Sequence, residues 1–191
     1  MAMSVDDEGI YSSELIHDDA PEPLGEPEVE TVLVVERLSH YDEAGQAHMV
    51  DVSAKTETRR EAVATAFVEL NEAVLRALPQ NPKGDPLEVA RFAGIMAAKK
   101  TSDLIPMCHP LALSFVDVQA SIVEGGVAIE ATAATVAGTG VEMEAMVAAS
   151  VAALTVYDMT KALDKGIRIR EVQLVRKSGG KSGEWQRGTE R

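Results

Sequence analysis

The feature that most constrains the fold is an uncharged run of thirteen residues, Ala145 to Tyr157, with charged groups at both ends. Glu142 and Glu144 precede this run, and Asp158 and Lys161 follow it. The run is rich in alanine and falls short of the roughly 20 apolar residues that cross a bilayer. It therefore predicts a buried helix that carries ionisable side chains to both of its ends.

Asp158 and Lys161 are three residues apart and so share one helical face. Ionised groups near a buried helix cost several kcal/mol unless each has a partner. The spacing is compatible with an acid/base pair, but taken alone it favours a plain surface ion pair. On one straight helix, Glu142 and Asp158 are roughly 24 Å apart, so joint action on one ligand would need a site between protomers or a bent Glu142 segment.

The net charge of −13 is unevenly distributed. Residues 1–44 hold 13 of the 31 acidic residues and one base, Arg37, so the remainder is nearly neutral. We predict an acidic, largely disordered extension over 1–37, one domain over 38–185 and a short tail over 186–191. An acidic docking arm is the alternative interpretation of the extension.

Residues 1–20 lack the basic start and apolar centre of a signal peptide. The single cysteine, Cys108, excludes an internal disulfide and suits a reducing compartment. We therefore expect a cytoplasmic protein without a membrane segment.

The first half of the domain predicts one strand and two helices. His48–Ser53 alternates like a strand, and a long helix is predicted from Thr58, where Thr58-x-x-Glu61 fits a capping box. Apolar residues at 63, 67, 70, 74 and 78 continue this helix to Pro79. A second helix is predicted after the cap residue Asp85.

The second half predicts a loop at 106–110, a hairpin of strands at 116–122 and 127–133, the uncharged helix, and a last strand from Ile167. A slip in apolar phase predicts a bulge near Arg170–Glu171. The order βααββαβ is that of a ferredoxin-like α+β domain, βαββαβ, with one extra helix. Its antiparallel sheet would carry the helices on one face, and another subunit would cover the other.

Two groups of residues are candidates for binding. The first is the segment Arg176–Gly183, which offers cations and glycine backbone to an anion. Its spacing is not that of a Walker loop, and a flexible tail is the alternative interpretation. The second is Glu142 with Glu144, for which the alternative is a favourable interaction with the positive end of the helix dipole. Cys108 and His109 lack the further ligands of a metal site, so no metal site is predicted.

Several long motifs occur in a fixed order: MVDVSAKTETRREA, NPKGD, AAKKTSDLIPMCHPL, GVEMEAMVAASVAALTVYDMTKA and LVRKSGGKSG. They resemble the molybdenum-cofactor biosynthesis protein C family, with cyclic pyranopterin monophosphate synthase activity, over about 38–185. The resemblance implies a ferredoxin-like fold and a homohexamer, a trimer of dimers, with active sites at subunit interfaces. It implies a lyase that converts 3′,8-cyclo-7,8-dihydroguanosine 5′-triphosphate to cyclic pyranopterin monophosphate and pyrophosphate.

The resemblance also implies roles for individual residues. Asp158 and Lys161 match the catalytic positions, and partial burial would lower the pKa of Lys161 while the carboxylate opposed that shift. Lys83, Lys177 and His109 would hold phosphates, with Lys99 as support. The other positions that match the substrate-binding segments are Met107, Cys108, Glu142, Met143 and Glu144.

Gly138 departs from the family pattern, which has a lysine there, so any contact from that lysine would be lost or supplied elsewhere. No cofactor is implied with certainty, and Mg²⁺ accompanying the pyrophosphate is compatible with the chemistry.

Two other classes of protein remain as alternatives. A non-catalytic, nucleotide-binding ferredoxin-like regulatory module would use the same lysines and glycines without needing Asp158 and Lys161. An RNA-binding sheet is disfavoured, because the hairpin offers only Phe115 for base stacking and the domain is nearly neutral.

Overall fold

The computed structural model describes residues 40–41 and 44–188. The predicted extension, 1–37, lies outside the described residues, and its role stays a prediction. The helices and strands, in chain order, are β1 (Thr58–Glu69), α1 (Glu72–Ala77), a 3₁₀ turn (Leu78–Gln80), α2 (Pro86–Ala98), α3 (Thr101–Leu104), β2 (Leu113–Val123), β3 (Gly126–Ala137), α4 (Glu142–Thr160), β4 (Arg168–Ser178) and β5 (Trp185–Gln186).

The strands form one antiparallel sheet in the order β2-β3-β1-β4-β5. The two long helices, α2 and α4, pack on one face of this sheet and on each other. The predicted ferredoxin-like α+β fold is confirmed, with short α3 and β5 added to the predicted order. β5 straddles the predicted boundary between domain and tail.

The start of the domain was predicted wrongly. Residues 48–53 form no strand, and the predicted long helix from Thr58 is instead strand β1 followed by the short helix α1. Val63 and Phe67 are at helical spacing by coincidence and lie on the sheet face opposite the helices. The decisive pattern is an alternating row of small buried residues that faces the helices: Ala62, Ala64, Ala66 and Val68.

The local signals at the start of α2 are confirmed. The Asp85 side chain accepts hydrogen bonds from the backbone N–H groups of Leu87 and Glu88. Farther along α2, Gly94 allows close contact with α4, because a Cβ there would lie 2.8 Å from the Ala148 carbonyl oxygen. The loop before α2 reaches the end of α4, where Asn81 donates to the Met159 carbonyl at 2.8 Å. The two helices therefore run antiparallel.

The uncharged run forms a buried helix, as predicted. α4 packs its alanines against β1, and the residues that it contributes to the hydrophobic core are Ala145, Ala148, Ala149, Ala152, Ala153 and Val156. Small side chains on both elements let the helix lie close to the sheet. α4 thus spans the domain from the Glu142 end to the Asp158 end.

The hairpin and the last strand are also confirmed. β2 and β3 pair on both sides of a turn at Gly125, whose φ of 78° suits glycine. β4 contains the predicted bulge near Arg170–Glu171, with Glu171 at φ 57°. A second, unpredicted register shift follows Leu174. Each shift inserts one extra residue into β4 relative to β1.

The sheet face opposite the helices carries a shallow depression of about 410 Å³, lined in part by Phe67, Gln119, Glu130 and Glu171. That another subunit covers this face stays a prediction. Within the described ranges, no helix is long and apolar enough to cross a membrane.

Candidate functional site

The predicted site residues fall into two groups at opposite ends of α4. Lys83, Asp158 and Lys161 lie at its C-terminal end. Residues 107–109, 142–144 and Lys177 come together at its N-terminal end. Because α4 is one continuous helix over Glu142–Thr160, its rise per residue places the two groups about 24 Å apart in one chain.

Asp158 is the centre of the first group. Lys161 Nζ lies 2.5 Å from Asp158 Oδ1, and Lys83 Nζ lies 3.9 Å from Asp158 Oδ2. Lys83 Nζ also donates to the Asp158 carbonyl oxygen at 3.4 Å. The Asp158 side chain is 58% exposed and that of Lys161 is 51% exposed. The pair that the spacing predicted therefore forms, but on the surface of the protomer.

The exposed ion pair corrects the expected pKa of Lys161. The hydrogen bond from Lys161, and then its charge, hold the pKa of Asp158 below its ordinary value. The same hydrogen bond and the carboxylate charge raise the pKa of Lys161. The expectation that burial lowers the pKa of Lys161 was wrong for this protomer. At neutral pH the pair is a carboxylate and an ammonium ion.

The second group surrounds a cavity of about 300 Å³, here called the carboxyl cavity. It is lined by Glu142 and Glu144 from the first turn of α4 and by the loop residues that precede β2. The predicted loop at 106–110 is confirmed as irregular. The full lining comprises His40, Val50, Val52, Lys55, Met107, Cys108, His109, Leu111, Thr139, Gly140, Glu142, Met143 and Glu144.

Glu144 is the buried carboxyl group of this cavity, with 4% of its surface exposed. Burial is the main cause that raises the pKa of Glu144, and the charge of Glu142 raises it further. Burial also raises the pKa of the Cys108 thiol, with a contribution from Glu144. Cys108 is therefore a neutral thiol at physiological pH and a poor nucleophile.

His109 is held by the segment that precedes β1. Its Nε2 lies 2.8 Å from the Val50 carbonyl oxygen. Because a carbonyl oxygen only accepts, Nε2 carries a proton in this contact. His109 lines the carboxyl cavity with Glu142 and Glu144 and does not line the cationic cavity, which does not favour the expected phosphate contact.

A larger cavity of about 990 Å³, here called the cationic cavity, adjoins the carboxyl cavity. The two share Lys55, Thr139, Gly140 and Glu142 as lining residues. Four basic side chains line the larger cavity: Lys55, Arg60, Lys177 and Lys181. This arrangement suits a polyanion whose other end enters the carboxyl cavity.

Lys177 connects the two cavities. Its Nζ lies 3.2 Å from Glu142 Oε1 and donates to Ser182 Oγ at 2.6 Å. Lys177 belongs to β4, so the alternative of a flexible tail is wrong for this residue. Gly179, at φ 90°, begins the turn beyond it, and a Cβ there would overlap the Arg59 carbonyl oxygen. The glycines thus let the turn lie close to β1.

Sequence reasoning missed Lys55 and Arg60 and named Lys181 only as part of a glycine-rich segment. Both missed residues lie in the motif MVDVSAKTETRREA, but the wrong helix prediction hid their direction. On strand β1, Arg60 shares the helix-facing side with Ala62, and its Nε donates to the Ala137 carbonyl at 2.9 Å. Alternation along a strand was the signal that could have found it.

The structure also shows where Lys99 and Gly138 lie. Lys99 is the C-cap residue of α2 and lines neither cavity. Gly138 lines the cationic cavity, and a Cβ there would lie 3.3 Å from the Cβ of Lys55. A lysine at 138 would therefore start beside Lys55, which already supplies a cation at this wall. In the part of the chain that the structure describes, no group of three or more His, Cys, Asp or Glu side chains could hold a metal ion.

The chain is thus a ferredoxin-like α+β domain in which a cationic cavity adjoins a cavity lined by carboxyl groups. The sequence profile of the MoaC family matches residues 49–180. This protein belongs to the MoaC family.

Three relatives named cyclic pyranopterin monophosphate synthase extend this result. The chain is 54% identical over 151 residues to that of Novosphingobium aromaticivorans, covering 78% of this chain and 96% of the relative. It is 57% identical to that of Roseiflexus castenholzii, with 77% and 96% covered. It is 56% identical to that of Rhodospirillum rubrum, with 78% and 92% covered.

Proposed function

We propose that this protein has the cyclic pyranopterin monophosphate synthase activity for which its relatives are named. In molybdenum-cofactor biosynthesis it would convert 3′,8-cyclo-7,8-dihydroguanosine 5′-triphosphate into cyclic pyranopterin monophosphate and pyrophosphate, as a phosphorus–oxygen lyase. The observation that carries the proposal is the pair of adjoining cavities that share Glu142. One suits a triphosphate, and the other suits a ring with N–H donors.

The triphosphate would bind in the cationic cavity. A nucleoside triphosphate carries about four negative charges, and Lys55, Arg60, Lys177 and Lys181 provide as many positive ones. Magnesium, where it takes part, would enter with the phosphates. Lys55 would supply the positive charge at the wall of the cationic cavity where Gly138 has no side chain.

The guanine-derived ring would bind in the carboxyl cavity. Glu142 and Glu144 would accept hydrogen bonds from ring N–H groups, which suit carboxyl oxygens. Met107 and Met143 would contact the flat faces of the ring, since thioethers adapt to irregular apolar surfaces. Cys108, as a neutral thiol, would contact the ring without reacting.

Asp158 and Lys161 would move the protons. Their pKa shifts favour the ionised forms, so Asp158 would be available to accept a proton and Lys161 to donate one. Lys83 would neutralise charge that develops beside them. Since these residues lie about 24 Å from Glu142 along α4, we propose that the Asp158 end of one subunit completes the cavities of another. A homohexamer, a trimer of dimers, is the assembly we propose for this arrangement.

The compartment and partners follow from the same proposal. We place the enzyme in the cytoplasm, where its one cysteine stays reduced. Its partners would be the small-molecule substrate and further copies of itself, and not a nucleic acid.

The proposal is tested by incubating the purified protein with the cyclic substrate and measuring pyrophosphate. Release of pyrophosphate with formation of the cyclic phosphate is expected. Tight binding of intact substrate without release would instead identify a non-catalytic nucleotide-binding module.

Mixed oligomers test where the site is assembled. Asp158→Asn subunits mixed with Lys177→Ala subunits should regain activity at about one site in four, because some sites draw an intact residue from each chain. Mixing Asp158→Asn with Lys83→Ala is the matched control. Those two residues meet within one chain, so no recovery is expected. Absence of recovery in both mixtures would contradict a site shared between subunits.

A further inference from the structure

One residue that lines the carboxyl cavity, His40, has a buried side-chain nitrogen without a partner. His40 Nδ1 is the single buried side-chain nitrogen or oxygen among the described residues that makes no hydrogen bond. More than nine in ten buried polar groups in proteins are hydrogen-bonded, and those that are not demand an explanation. An orphaned imidazole nitrogen also costs stability, because it has lost water without gaining a partner.

His40 is held in place by its own backbone and not by its side chain. The His40 carbonyl accepts from the backbone N–H of His48 at 2.9 Å, and Tyr41 pairs with Ala47 in an isolated β-bridge. Held by this small loop, His40 is one of the lining residues of the carboxyl cavity, as are Cys108 and Glu144. His40 lies outside residues 49–180, which the family profile matches.

The other polar groups of the cavity define what His40 adds. Glu142 and Glu144 are carboxyl groups, and Nε2 of His109 is engaged by Val50. A fused ring derived from guanine has both N–H donors and carbonyl or ring-nitrogen acceptors at its edge. The carboxyl groups address the donors, whereas an imidazole nitrogen can serve either kind of atom according to its tautomer.

We infer that His40 Nδ1 hydrogen-bonds the guanine-derived ring of the substrate, which makes His40 a further substrate-binding residue. This inference rests on the proposed function. The unsatisfied nitrogen is then the vacant half of a contact that the ligand completes. Its cost in the free protein is recovered only when the substrate binds.

Substitutions at His40 can separate the two ring nitrogens. In His40→Asn the amide group is attached to Cγ, like Nδ1, so it keeps a polar atom at the Nδ1 position. In His40→Gln the polar atoms lie one bond farther out, near the Nε2 position. His40→Phe keeps a flat ring and removes both nitrogens. His48→Ala is the matched control, because His48 is exposed on the same loop.

The first measurement is pyrophosphate release. His40→Phe and His40→Gln should raise KM by about 5-fold or more, while His40→Asn and His48→Ala stay within about 2-fold of the wild type. Equal KM values for wild type and His40→Phe would overturn the inference. If the wild type itself released no pyrophosphate, the proposed function would have failed instead.

The second measurement is thermal unfolding, made in the Asp158→Asn background so that the cyclic substrate persists. Without substrate, His40→Phe should unfold at the same temperature or higher, because no hydrogen bond is lost. With substrate, it should gain less Tm than its parent. A lower Tm without substrate would show that Nδ1 is held within the free protein, by structural water only, and would overturn the inference. An equal gain in Tm would do the same.

Discussion

The two ends of α4 differ in how much of the site one chain completes. At the N-terminal end, Glu144 is buried, Glu142 and Lys177 are half-buried, and two cavities are already formed. At the C-terminal end, the charges of Asp158 and Lys161 are mostly exposed. One helix thus carries two preformed cavities at one end and exposed charged groups without an enclosure at the other.

The two ends also differ in how the surroundings shift the pKa of a carboxyl group. Burial raises the pKa of Glu144, whereas the hydrogen bond from Lys161 lowers the pKa of Asp158. Burial thus favours the neutral form of Glu144, and the ion pair favours the charged form of Asp158. Here the divergence comes from burial at one end of a helix and an ion pair at the other.

The largest expected effect is at the exposed end. Asp158→Asn and Lys161→Ala should each lower kcat for pyrophosphate release by at least about 100-fold, because each removes a proton-transfer group. Both variants should keep the wild-type Tm and oligomeric state, since an exposed ion pair adds little to stability. The control is Arg76→Ala, which breaks the exposed Arg76–Glu72 pair of α1 and should leave kcat unchanged. Near-normal turnover in either folded variant would contradict the catalytic role.

At the preformed end, Lys177→Ala should lower kcat/KM by about 10- to 100-fold. It removes a cation from the cationic cavity and the partner of Glu142. Lys177→Arg should restore part of the loss, and Lys165→Ala, at an exposed lysine of the loop before β4, should have no effect. Steady-state kinetics at fixed ionic strength measure this, and an unchanged kcat/KM would place the phosphates elsewhere.

Gly94→Ala tests how much the close packing of α2 on α4, which connects the two ends, contributes to stability. A methyl group there would press on the Ala148 carbonyl, and overpacking of this kind costs about 1–3 kcal/mol. About 1 kcal/mol is regained, because alanine favours helices more than glycine does. Denaturant unfolding should therefore show a net loss of about 1 kcal/mol. Met96→Ala, on the exposed side of α2, should change stability by less than about 0.5 kcal/mol.

The smallest effect concerns the buried carboxyl group. The folded state keeps the proton of Glu144 to a higher pH than the unfolded state, because burial raises its pKa above the ordinary 4.5. The stability this proton gives is complete below about pH 4.5 and is lost as pH rises through the folded-state pKa. Glu144→Gln cannot ionise, so its Tm should gain on that of the wild type as pH rises. Glu124→Gln, at the exposed hairpin turn, should show no such trend.

The parts of the fold that sequence predicted are those with local causes. Asp85 and Pro86 start α2 by capping, and the alternation at 116–122 and 127–133 marks a hairpin closed by Gly125. β1 was missed because its core face is built of alanines, which give weak strand signals, while Val63 and Phe67 imitated a helix. Pairing with β3 and β4, which are distant in sequence, decides that segment.

The candidate site divides in the same way. The motifs named the residues at both ends of α4, and helix geometry predicted that the ends lie far apart. Sequence could not predict that Lys55, Arg60 and Lys181 line one cavity, because that cavity joins three segments that are distant in sequence, 55–60, 138–142 and 177–182. Nor could it predict that Lys83 lies beside Asp158 in the same chain, which depends on the antiparallel packing of α2 and α4.

The two bulges of β4 change which of its residues face the helices. Three residues of β4, Ile169, Leu174 and Lys177, pair with the helix-facing residues Val68, Ala64 and Ala62 of β1, and so face α4 themselves. Without the bulges, residues at these odd spacings would alternate between the two faces of the sheet. Deleting one residue between 174 and 177 would turn Lys177 to the outer face, away from Glu142. Deleting two would keep the face and shift the glycine-rich turn by about 7 Å. Changes in the length of β4 should therefore preserve the binding site only in steps of two residues.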